Sequence, residues 1–79
     1  MYKKGTIEVK NSEGKTETVH YYCKYFDEPS QYGIENGRIS KLTLKQNGKT
    51  VYNFDRGLDI EPQTAEAEST LAILVHEYN

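Results

Sequence analysis

The chain of 79 residues has no tryptophan, one methionine, one cysteine, two prolines and two histidines. A single cysteine cannot close an internal disulfide, and with only two histidines beside it the chain lacks the usual ligands of a structural zinc site. No 18-residue apolar run occurs and nothing resembles a signal peptide, so the expectation is a protein of the cytoplasm with no membrane partner. Large aliphatic residues and phenylalanine are also scarce, 16 of 79, which sits at the edge of the disordered range. Seven tyrosines and a net charge of only −2 offset that shortage and predict a folded chain. Its length predicts one small domain over residues 1–79, with no room for a second core.

Charge is unevenly distributed. Residues 1–54 carry a net +3 and residues 55–79 a net −5, so the C-terminal third is the acidic part. Asymmetry of this size fits either a partner surface or ordinary solubility.

The elements read as short strands punctuated by turns. Ile7 and Val9 alternate with polar neighbours, and Asn11 to Lys15 supplies a turn. In the next strand, Thr16 to Phe26, Val19, Tyr21, Cys23 and Tyr25 fall on one face, with His20, Tyr22, Lys24 and Phe26 on the other. Asp27 to Gly37 is irregular: Pro29 stops ladder pairing, Gly33 and Gly37 offer positive φ, and Asn36-Gly37 is read as a type I′ turn pairing Glu35 with Arg38 and Ile34 with Ile39. A third strand covers about Arg38 to Gln46. Asn47-Gly48 is the strongest hairpin signal, and a two-residue turn there sets Gln46 opposite Lys49, Leu44 opposite Val51, Thr43 opposite Tyr52 and Leu42 opposite Asn53.

After a turn at Asp55-Arg56-Gly57, with the glycine read as its tightest position, Leu58 and Ile60 lead to Pro62, which suits the first turn of a helix. Ala67, Leu71, Leu74, Val75 and Tyr78 then share one helical face, leaving Ile73 off it. The fold class is α+β: an antiparallel four-stranded meander with one C-terminal helix packed on one face, ββββα. One helix covers one face only. With Leu42, Leu44 and Val51 inward, the expected open face carries Tyr22, Phe26, Lys41, Tyr52 and Phe54, along with His20, Lys24, Thr43 and Lys45.

Few residues invite catalysis. Cys23 and His20 alternate to opposite faces of a strand, so neither activates the other, and a small buried thiol accounts for Cys23. Asp27, Glu28, Asp55, Asp59 and Glu61 lie where strands stop, but their spacing matches no calcium loop and Arg56 sits among them as a counterion. No catalytic residue, metal or cofactor is expected.

The segments Tyr25-Phe26-Asp27-Glu28-Pro29-Ser30-Gln31-Tyr32-Gly33-Ile34, Gly37-Arg38-Ile39-Ser40-Lys41-Leu42 and Asp55-Arg56-Gly57-Leu58-Asp59-Ile60-Glu61-Pro62 resemble a family of small uncharacterised proteins from phages and mobile elements of low-GC Gram-positive bacteria. The resemblance spans roughly half the chain. It implies no known activity, only the setting of an accessory protein that acts by binding larger machinery. The expected function is therefore a non-enzymatic adaptor or inhibitor, monomeric or homodimeric, that holds a protein through Tyr22, Phe26, Asp27, Glu28, Tyr32, Arg38, Lys41, Tyr52 and Phe54. The alternative is a single-stranded nucleic-acid binder using the same aromatic and lysine-bearing face.

Overall fold

A computed structural model describes residues 1–79. The strands are β1 (Tyr2–Lys10), β2 (Thr16–Tyr25), β3 (Ile39–Gln46), β4 (Lys49–Asp55) and β5 (Leu58–Ile60), followed by helix α1 (Ala65–Tyr78). They form one antiparallel sheet in the order β1-β2-β3-β4-β5, with α1 packed across β1, β2 and β3. The meander thus has five strands rather than four. Leu58 to Ile60 is too short for a periodic signal, but it pairs with β4 through Asn53 opposite Ile60 and Phe54 opposite Leu58.

The core lies between α1 and the inner face of the sheet. Val19 and Cys23 of β2 and Ile39, Leu42 and Leu44 of β3 are fully buried against Ala67 and Leu74 of the helix. Leu71, Val75 and Tyr78 pack half-buried around them, which is the helical face expected from the spacing. Thr70 joins them fully buried, its hydroxyl donating to the Glu66 carbonyl at 2.8 Å within the helix. The helix starts later than Pro62: Thr64 is the N-cap, its Oγ1 accepting from the Ala67 amide at 3.0 Å, because a side-chain acceptor satisfies a free first-turn donor and proline has none to offer. Thr64 also donates to Oε1 of the buried Gln46 at 2.8 Å, and Gln46 Nε2 donates to Glu66 at 3.0 Å and Glu17 at 3.2 Å. The start of the helix is thereby bonded to the end of β3.

The Asn47-Gly48 turn has φ of 54° and 76°, positive at both central residues as a type I′ turn requires. Gln46 faces Lys49 and Lys45 faces Thr50, as that turn dictates; then a bulge at Val51 shifts the register, so that Leu44 faces Tyr52, Thr43 faces Asn53 and Leu42 faces Phe54. The extra residue overturns the expected placement of Tyr52 and Phe54. Both Val51 and Tyr52 turn inward, at 4% and 3% exposure, and Phe54 packs half-buried against the core. Burial pushes the Tyr52 phenol pKa up, with the Glu35 charge adding to the shift.

Two other turns also differ from expectation. The 3-10 turn at Ile34–Asn36 places its positive φ on Glu35 (50°) and Asn36 (59°), one residue earlier than a turn centred on Asn36-Gly37, and no ribbon forms ahead of β3. Gly33 and Gly37 are extended; they are glycines because of crowding, since a Cβ on Gly33 would run into the Gly37 carbonyl and one on Gly37 into the Asn79 amide. At Asp55-Arg56-Gly57 it is Arg56, with φ of 58°, that takes the left-handed conformation, while its amide donates to the Ser40 carbonyl at 2.9 Å.

Cys23 is fully buried, and burial pushes its thiol up to about 11. The folded chain therefore holds this proton more tightly than the unfolded one. The contribution is intact below the ordinary thiol value of about 8.5 and is lost as pH rises toward 11. Denaturant midpoints measured from pH 7 to 11 are expected to fall more steeply for the native chain than for Cys23→Ala. The native thiol should also resist a disulfide reagent at neutral pH; modification at the rate of the unfolded chain would contradict its burial.

Candidate functional site

The outer face of the sheet has no helix over it. Register places Tyr2 and Lys4 of β1 beside Lys24 and Tyr22 of β2, and Lys24 and Tyr22 beside Lys41 and Thr43 of β3. At the edge where β2 ends, Phe26 and the loop residue Tyr32 extend this surface. A cleft of about 420 Å³ results, lined by Tyr2, Tyr22, Lys24, Phe26, Ser30, Tyr32, Ser40, Lys41, Asp55 and Arg56. A bulge between β2 and β3 helps shape it: Lys24 faces Lys41, Tyr25 faces Ile39, and Ser40 is the unmatched residue between them.

Rings and cations interleave in the cleft. The Tyr2 and Tyr22 rings are tilted with centroids 5.5 Å apart. Lys24 Nζ lies 5.5 Å from the Tyr2 centroid and 5.3 Å from that of Phe26, and the Arg56 guanidinium lies 4.6 Å from that of Tyr32. These are cation–π distances in which the ring quadrupole partly offsets the charge without neutralising it. Lys41 Nζ stands 3.8 Å from Asp55, a half-exposed pair of small energetic weight. A second, shallower cleft of about 520 Å³ shares Tyr22 and continues along the face past Lys4, Thr6, His20, Thr43 and Lys45.

Of the residues expected to bind a partner, Tyr22, Phe26, Tyr32 and Lys41 come together here. Tyr52 and Phe54 do not, being on the inner face. Arg38 stacks 5.6 Å over Tyr25, whose ring meets Tyr78 of the helix at 5.0 Å, so it belongs to the helix side. Asp27 and Glu28 are exposed but outside the cleft lining. Tyr2 and Arg56 are members that the sequence reading missed. The alternation of β1 traced back from Ile7 would have found Tyr2, since Tyr2, Lys4 and Thr6 share a face opposite to that of Ile7.

No three His, Cys, Asp or Glu side chains are grouped so as to hold a metal ion. No helix is long and apolar enough to cross a membrane. A family described as Domain of unknown function (DUF7678) matches residues 1–79. The chain belongs to the DUF7678 family. Comparison of this DUF7678 domain with curated proteins and with solved structures gives no match. The face and its cleft are therefore read on their own chemistry.

Proposed function

We propose that this DUF7678 domain is a non-catalytic binding protein whose working surface is the open face of the sheet, and that it serves in the cytoplasm as an accessory protein of the phage or mobile-element kind. One observation carries the reading: the four exposed aromatic rings of the chain, Tyr2, Tyr22, Phe26 and Tyr32, all line one cleft. Rings that only fill out a surface have no reason to converge, whereas convergent aromatic anchors are the usual centre of an interface. Cys23, the one thiol of the chain, is sealed in the core with His20 on the opposite face of the strand, so that pair offers no activated nucleophile to this surface.

The test compares affinity capture from the producing cell by the native chain and by a Tyr22→Ser, Phe26→Ser double variant, with and without nuclease, read by mass spectrometry. The double variant is expected to stay folded, at a stability cost of about 1 kcal/mol. It should lose about 2 kcal/mol of partner affinity, roughly 30-fold. Capture that the variant leaves unchanged would remove the cleft from consideration.

A further inference from the structure

We propose that the open face binds single-stranded nucleic acid, an assignment that rests on reading this face as the working surface. The first argument is charge. The chain is net −2, yet its two open-face clefts are lined by Lys4, Lys24, Lys41, Lys45 and Arg56 against the carboxylate of Asp55, with Glu8 and Asp59 as the further acids of that face. Only Lys41 has an ion-pair partner among these five cations. The acids that make the chain acidic overall include Glu66, Glu68 and Glu77 of the helix, on the other side of the sheet. The molecule is polarised, and its basic side is complementary to a polyanion.

The second argument is the interleaving of those cations with rings. Lys24 lies over both Tyr2 and Phe26, and Arg56 over Tyr32, so each of these rings has a cation on one of its faces and a base would stack on the other. A base stacked on a ring would bring its phosphate within reach of the adjoining charge. That pairing is how sheet surfaces hold single strands without reading their sequence. The length is sufficient: from His20 to Phe26 the chain runs roughly 20 Å at strand rise. Paired bases hide their faces from the rings, so a duplex can satisfy the cations alone.

The experiment uses the full chain and a fluorescently labelled oligothymidylate of roughly twelve nucleotides, with a duplex of equal length, read by anisotropy. Single-strand binding is expected to exceed duplex binding by about tenfold, as loss of one stacked base predicts. Neutralising three to four phosphates should make it roughly 20- to 50-fold weaker at 200 mM than at 50 mM salt. Tyr22→Ser should weaken it by about tenfold. The paired changes Lys4→Gln and Lys45→Gln should flatten the logarithmic salt slope by about 1.4. Both lysines are exposed, so that pair reports on binding even if Tyr22→Ser disturbs the fold. Absence of binding at 50 mM salt, with a captured protein still lost on Tyr22→Ser and Phe26→Ser, would overturn the nucleic-acid assignment and leave the open face as a protein site. Oligonucleotide binding indifferent to every one of these changes would overturn both.

Discussion

Leu74→Ala is expected to destabilise the fold by about 3 kcal/mol, read as a lower urea midpoint with an unchanged slope. Leu74 is 2% exposed and points from α1 into the cluster formed by Val19, Cys23, Leu42 and Leu44. Its truncation removes buried methyl groups and leaves a cavity that a sheet, rigidly hydrogen-bonded, cannot collapse to fill. For a chain this short the loss takes a large share of a total of about 5 to 10 kcal/mol. Ile73, its neighbour on the outer side of the helix at 47% exposure, supplies the control: Ile73→Ala should change stability by about 0.5 kcal/mol or less. A Leu74→Ala effect as small as that of the control would mean that α1 does not dock through this face.

The second large effect is expected at Tyr52. Had the hairpin kept its two-residue register to the end, Tyr52→Ser would be nearly silent in stability. With the ring 3% exposed and opposite Leu44, the change should instead cost about 3 kcal/mol or more. Tyr22→Ser, a tyrosine to serine change on the outer face, should cost about 1 kcal/mol or less. Thermal or urea unfolding of the two variants side by side decides the matter: equal stability would show that Tyr52 lies outside the core and that the bulge at Val51 is absent.

That contrast also shows where sequence reasoning reached and where it stopped. Strand β2, with its inner Val19 and Cys23 and outer Tyr22, followed from alternation alone, and the helical face from the spacing of Ala67, Leu71, Leu74, Val75 and Tyr78. The type I′ turn correctly fixed the pair nearest to it, Gln46 with Lys49. Propagating its register further buried Asn53 against Leu42 and exposed two rings, a polar group in and two aromatics out. The alternation Tyr52-Asn53-Phe54 already argued against that. One inserted residue at Val51 resolves the conflict: it buries Val51 and Tyr52 together and turns Asn53 outward, where it accepts from Thr43 at 2.7 Å and donates to Asp59 at 2.9 Å. Of the site, the rings of Tyr22, Phe26 and Tyr32 were legible. Tyr2 depended on extending β1 backward, and Arg56 on the left-handed turn that carries it to Tyr32, which no local pattern specifies.

Asn79 closes the helix with one amide that serves two partners: its Nδ2 donates to the Ile34 carbonyl at 2.9 Å, and its Oδ1 accepts from the Ile39 amide at 3.0 Å. These two groups bracket the end of the loop that carries Tyr32 to the far side of the sheet. The two faces are consequently not independent. A ligand that ordered Tyr32 and its loop from outside would also favour the last turn of α1, and by thermodynamic reciprocity a frayed last turn would weaken the hold on that ligand. Occupancy of the open face should therefore be felt as slower amide exchange at the end of a helix that the ligand never touches.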